Sequence, residues 1–186
     1  MKGERVYKVG IIGPESTGKS ILARYLAKRY DGIYVPEYAR DYVERKQVES
    51  EAWSVERISW DELCAIACHQ IEELINLSGT ASSGLSAERS ISEAVYQAQP
   101  VFFDTELIVT KVWFDYAFGQ VPEWLNEAIR SYPMDVYLLT YPDIPWIPDP
   151  ARSNGSDAIR LELFRRYESE IQALDIPYYI IRHTSD

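Results

Sequence analysis

Gly13-Pro14-Glu15-Ser16-Thr17-Gly18-Lys19-Ser20 brings two glycines, a lysine and a hydroxyl into a G-x-x-x-x-G-K-S spacing. That spacing suits a triphosphate. Glycines let the backbone wrap so that successive N–H groups converge on phosphate oxygens. Lys19 can then reach the β- and γ-phosphates, and the Ser20 hydroxyl can ligate Mg²⁺. Residues 6–12 before the loop form an apolar run that reads as a strand, and residues 21–27 behind it have helical apolar spacing. A strand, a glycine loop and a helix in that order are the context a phosphate loop needs, and the helix N-terminus adds its partial positive charge. The residues predict a site for ATP with Mg²⁺, lined by Gly13, Pro14, Glu15, Ser16, Thr17, Gly18, Lys19 and Ser20.

Three further places carry groups that could act on a bound nucleotide. Asp104 closes the apolar run Val101-Phe102-Phe103. A strand-terminal carboxylate of this kind can hold Mg²⁺ directly or through water, and it can equally cap the helix that follows Thr105. Glu37 comes directly after Ile33-Tyr34-Val35-Pro36, with Arg40 close behind. At the end of a strand it could accept the proton of a hydroxyl attacking the γ-phosphate; in a helix first turn it could simply be favoured by the dipole. Arg152 and Arg160 flank the polar stretch Ser153-Asn154-Gly155-Ser156-Asp157 in a proline-rich region. An arginine on a closing lid would stabilise charge on the transferring phosphate, whereas an arginine in a polar loop is otherwise solvated.

The elements that must position these groups alternate. Strands are predicted over residues 6–12, 33–36, 101–104, 135–140 and 178–182. Helices are predicted over 19–30, from residue 37 or 38 onward, from Trp60, over 88–97, 107–118, 123–131 and 158–174. Ser59-Trp60-Asp61-Glu62 is a capping box opening the long helix. Residues 78–87, rich in Gly, Ser and Ala, read as an exposed flexible loop. Strand–helix alternation implies an α/β fold: a five-stranded parallel sheet flanked by helices, the phosphate loop at the strand C-termini and a lid loop after the fourth long strand.

Composition narrows the partners. The 186 residues suit one domain over 1–186, and 46% hydrophobic content with 14 tyrosines excludes a disordered chain. A net charge of −10 argues against general nucleic-acid binding, which needs a basic face. It leaves room for one small-molecule substrate neutralised locally by Lys19 and a few arginines. No apolar run approaches a membrane span, and the first residues resemble no leader peptide. Cys64 and Cys68, with His69 beside them, read as small buried hydrophobes on a helix; reduced thiols and an ATP-type site favour the cytoplasm.

Taken together, Gly13 to Ser20, Glu37-Tyr38-Ala39-Arg40-Asp41-Tyr42, Phe103-Asp104-Thr105 and Pro145-Trp146-Ile147-Pro148-Asp149-Pro150-Ala151-Arg152 resemble the ribosylnicotinamide kinase domain of the NadR proteins. These are P-loop kinases among the AAA-domain-like NTPases. The resemblance implies ATP-dependent phosphorylation of the nicotinamide riboside 5′-hydroxyl, giving nicotinamide mononucleotide. It places the phosphate-binding role on Gly13 to Ser20, the acceptor-side acid on Glu37, the strand-terminal acid on Asp104 and the lid arginine on Arg152. A cationic pyridinium ring suits aromatic and acidic surroundings. Tyr38, Arg40, Asp41, Tyr42, Trp113 and Tyr116 are the candidates, each of the aromatics being equally able to serve as core. Two departures stand out: these residues contain no counterpart of the nucleotidyltransferase domain that precedes the kinase, and residues 78–99 read as an insertion. A kinase for another nucleoside or small metabolite, and a regulatory NTP-binding module, are the alternatives; the oligomeric state is left open.

Overall fold

The computed structural model describes residues 6–50, 52–79, 99–146 and 156–183, with the side chains of 78 and 79 excepted. Its strands are β1 (Lys8–Ile12), β2 (Ile33–Val35), β3 (Val101–Asp104), β4 (Val136–Thr140) and β5 (Tyr178–Ile181). They form one sheet in the order β2-β3-β1-β4-β5. Every pairing is parallel, β1 lying between β3 (Lys8 against Val101) and β4 (Val9 against Val136). Parallel strands with both faces covered need near-continuous apolar sequence, and all four residues of β3 are buried.

The helices are α1 (Lys19–Arg29), α2 (Tyr38–Glu49), α3 (Trp60–Gly79), α4 (Leu107–Phe118), α5 (Glu123–Ser131) and α6 (Asp157–Ala173), with a single 3₁₀ turn at Val55–Arg57. The capping box forms as the sequence predicts. Glu62 N–H donates to Ser59 Oγ at 3.2 Å, and Ser59 N–H donates back to Glu62 Oε2 at 2.9 Å. Helix α6 starts on Ser156, whose hydroxyl accepts from Ile159 N–H at 3.2 Å. The core divides at the sheet. Val9, Ile11 and Phe102 pack against Ala23 and Ala27 of α1. On the opposite face Phe103, Tyr137 and Leu139 pack with Ile66 of α3, Phe114 of α4, Leu125 of α5 and Tyr167 of α6.

Several boundaries differ from expectation. Helix α3 continues through Gly79, into the stretch expected to be loop, and the remainder of that loop and the helix expected at 88–97 lie outside the described residues. Cys68 is exposed and Cys64 only partly covered, so the expected burial of the pair does not hold. Cys68 follows the apolar stripe of α3 by one position, and a 100° step turns it off the buried face. Arg160 lies in α6, within the helix expected at 158–174, and at 1% exposed it is buried rather than solvated. No helix among the described residues is long and apolar enough to cross a membrane.

Candidate active site

The loop after β1 is shaped by two glycines. Gly13 has φ +149° and lies against the end of β4, where an added Cβ would stand 2.6 Å from Thr140 O. Gly18 takes a left-handed turn at φ +80° and is the N-cap of α1 without any side chain to cap it. Ser16, between them, has φ +54°, an uncommon conformation for a residue with a Cβ. Three hydroxyl bonds hold the base of the loop. Thr17 Oγ1 donates to Pro14 O at 2.8 Å and lies 2.6 Å from Thr140 Oγ1, which is 3.2 Å from Ile12 O. Lys19 is 6% exposed, and its Nζ donates to Pro14 O at 2.8 Å.

A cleft opens beside this loop between β2, α2, α3, α4 and α6. Gly13, Glu15 and Lys19 face it from the loop, Glu37 and Arg40 from the end of β2 and the start of α2. Val43, Ile58, Leu63, Ile66, Val109 and Trp113 give it an apolar wall. Glu37 is the N-cap of α2 and caps nothing with its side chain, while its Oε2 is buried. Arg40 reaches along α2 to Glu44 at 2.8 Å. Tyr167 of α6 closes the cleft beside the loop; burial, then the carboxylates of Glu15 and Glu37, push its hydroxyl far above the usual phenol range. Few polar groups on a largely apolar concavity is the usual make-up of a small-molecule site.

Asp104 ends β3 on the α1 face of the sheet and is 1% exposed. Its Oδ2 accepts from Tyr34 OH at 3.1 Å, and burial followed by the Asp104 charge raises the Tyr34 pKa. Its Oδ1 is buried with no partner among the described residues. An unpartnered buried carboxylate oxygen is costly unless something else satisfies it. Together with the Ser20 hydroxyl in the first turn of α1, it suits Mg²⁺, which takes one or two protein oxygens and fills the rest with water and phosphate. Among the described residues no group of three or more His, Cys, Asp or Glu could form an all-protein cage. Asp104 does not cap the next helix. That cap is Glu106, whose carboxylate accepts from Ile108 N–H at 3.0 Å.

The acceptor candidates separate into those at the cleft and those elsewhere. Glu37, Arg40 and Trp113 line it. Tyr38 and Asp41 instead flank a shallow groove on the other side of α2, with Tyr38 stacked on His69 at 3.6 Å between ring centroids. One helical step from Glu37 or Arg40 rotates each of them off the cleft face. Tyr42 is packed against the core, and Tyr116 stands edge-on to Trp113 at 5.9 Å beneath Arg166. Arg160 reaches the backbone of the phosphate loop itself: Nε donates to Glu15 O at 3.1 Å and Nη2 to Ser16 O at 3.3 Å. Arg152 lies outside the described residues.

Two cleft residues escape the sequence reading. Thr110 Oγ1 donates to Gln70 Oε1 at 2.7 Å, both side chains being buried. Gln70 stands on the buried stripe of α3, one turn from Ile66 and one from Leu74, and Thr110 interrupts the apolar Leu107-Ile108-Val109 run. A polar residue on an apolar face was the available signal.

Comparison with known proteins places this arrangement in a family. The model of the AAA domain matches residues 8–185. The Trifunctional NAD biosynthesis/regulator protein NadR of Salmonella typhimurium is 28% identical over 156 residues, which are 83% of this chain and 33% of that protein. Its Escherichia coli counterpart is 28% identical over 157 residues, 84% of this chain and 33% of that protein. The chain thus spans about a third of the length of these relatives. Among solved structures, a NadR protein in complex with NR has a TM-score of 0.67 at 24% identity, over 94% of this chain and 43% of that one. Thymidylate kinase from Ehrlichia chaffeensis has a TM-score of 0.58 at 12% identity, over 98% of this chain and 89% of that one. The five-stranded parallel sheet flanked by helices is the P-loop kinase fold of these solved structures. A match over all but the ends of the sequence settles the family: the chain belongs to the AAA domain family, and within it resembles the NadR proteins.

Proposed function

We propose that the protein is an ATP-dependent kinase that phosphorylates the 5′-hydroxyl of nicotinamide riboside, and that residues 1–186 act as one catalytic domain. The observation that carries this reading is the placement of Lys19 and Glu37 on the same cleft, one on the phosphate loop and the other across from it. A relative crystallised with NR and the NadR likeness of the sequence support the choice of acceptor.

In this reading Gly13 to Ser20 wrap the triphosphate of ATP. Lys19 exchanges the Pro14 carbonyl for phosphate oxygens and offsets the charge that grows on the transferring group. Mg²⁺ neutralises and orients the phosphate oxygens when bound; Ser20 and Asp104 are the residues that would hold it. Glu37 accepts the proton of the 5′-hydroxyl as its oxygen bonds to the γ-phosphorus and the bond from that phosphorus to the β–γ bridging oxygen breaks. ADP leaves with the bridging oxygen. Trp113 and the apolar wall receive the pyridinium ring, and Glu37 and Glu15 supply the negative surroundings a cation prefers. Arg40, on the same cleft, and Arg152, the motif arginine, complete the proposed contacts to substrate and phosphate.

Glu37→Gln keeps size and hydrogen bonding and loses only the capacity to accept the proton. Turnover should fall by about 10²–10⁴-fold with ATP affinity nearly unchanged. Acceptor-dependent ADP formation measured beside an equilibrium ATP titration tests this. Unchanged turnover would make the carboxylate structural, and lost ATP binding would move it to the nucleotide side.

A further inference from the structure

Arg160 is the largest fully buried side chain among the described residues, and its charge has an unusual set of partners. Its guanidinium donates to three backbone carbonyls: Nε to Glu15 O at 3.1 Å, Nη2 to Ser16 O at 3.3 Å and Nη2 to Ile144 O at 2.8 Å. A carboxylate beside it, Asp157 at 3.3 Å from Nη1, is 94% exposed, so it offers little compensation inside. A buried cation needs its donors satisfied. Here the phosphate loop itself supplies two of the acceptors.

The C=O and N–H of one trans peptide unit point in opposite directions. Glu15 O shares its peptide with Ser16 N–H, and Ser16 O shares its peptide with Thr17 N–H. Pulling both carbonyls toward α6 therefore turns both amides toward the other side of the loop, where a phosphate-binding nest forms. Ser16 holds φ +54°, a conformation that costs a non-glycine residue about 1–3 kcal/mol and persists only where surroundings impose it. Arg160 is one contact that holds the Ser16 peptide, through its carbonyl. The charge also polarises the two peptides in the direction that strengthens their donors.

We infer that Arg160 is a positioning residue for nucleotide binding: it acts through the backbone of Glu15 and Ser16 to aim the Ser16 and Thr17 amides at the phosphates, and does not itself touch them. The inference rests on the proposal that this loop binds ATP. A fork with three correctly placed N–H groups is required, so a lysine cannot replace it.

Binding of the Mg²⁺ complex of a non-hydrolysable ATP analogue to the full chain is the test, with wild type, Arg160→Met and Arg160→Lys. Both variants should lose about 100-fold in affinity, the loss expected when two charge-assisted bonds that shape a site are removed. In turnover the KM for ATP should rise while the KM of the nucleoside acceptor stays unchanged; a loss of folded protein would instead lower kcat with both KM values unchanged. Wild-type affinity in Arg160→Lys would overturn the inference, because a charge touching phosphate directly survives that change and a carbonyl fork does not. If Arg160→Met does not fold, amide resonances of the wild type decide: Ser16 and Thr17 should shift on analogue binding, and unmoved amides would overturn it. Failure of the wild type to bind the analogue would overturn the nucleotide reading itself, whereas equal binding by wild type and variants would sink only the role of Arg160.

Discussion

Lys19 and Asp104 are both almost completely buried, yet they are buried for opposite reasons. Lys19 reaches the Pro14 carbonyl, so its ammonium is already inside the loop that would receive phosphate. Lys19→Ala should abolish most phosphoryl transfer, by at least about 10²-fold, with the circular dichroism spectrum and melting behaviour retained. Near wild-type turnover in a folded variant would remove the catalytic role. Asp104 keeps one oxygen for Tyr34 and leaves Oδ1 without a partner among the described residues. Asp104→Asn should therefore raise the Mg²⁺ concentration needed for half-maximal activity, read from a metal titration at saturating ATP. An unchanged titration would leave Asp104 holding Tyr34 only.

Among the elements, the junction of β1, the phosphate loop and β4 leaves no room for a side chain at Gly13. Gly13→Ala would place a Cβ against Thr140 at a left-handed φ, two costs at one position. Thermal unfolding should show a loss of at least about 2 kcal/mol, several degrees in melting temperature for a chain of this size. The start of α4 carries a different signature. Burial raises the Glu106 carboxyl to about 7, against the hydrogen bonds from Ile108, Leu107 and Tyr137 that act to lower it. Unfolded, the same group titrates at about 4.5. Between these values the folded protein holds a proton that the unfolded chain has released, so the contribution of Glu106 to stability is fully present below about pH 4.5 and is lost as pH rises through about 7. Glu106→Gln stays neutral throughout. In chelator it should be more stable than wild type at pH 8, by up to about 3 kcal/mol, and the advantage should vanish by pH 4. Urea unfolding at the two pH values checks this; an equal difference at both would mean that Glu106 ionises normally.

Across the whole molecule, the sequence made the fold legible because buried parallel strands leave short continuous apolar runs and helices leave a 3.6-residue apolar spacing, and the two follow each other in turn along the chain. The loop from Gly13 to Ser20 was legible for the same local reason, since backbone amides and a helix N-terminus need only contiguous residues. What depends on helix rotation was not. Glu37 and Tyr38 are neighbours in sequence, yet one faces the cleft and the other stacks on His69. Arg160 was visible as a cation near a polar stretch, but its three carbonyl partners come from residues 15, 16 and 144, and no short-range pattern brings them together. Gln70 and Thr110 left a signal, as polar breaks in apolar faces, without saying which cavity they border.

Phosphoryl transfer to nicotinamide riboside stands or falls on one assay: ADP formation by the full chain with Mg²⁺ and ATP, against nicotinamide riboside, the common nucleosides and no acceptor. The proposal predicts a large acceptor-dependent rate with nicotinamide riboside and a product carrying one phosphate at the 5′-oxygen. ADP formed at the same slow rate with and without every acceptor would contradict it in favour of an NTP-binding module, and a higher rate with another nucleoside would reassign the acceptor.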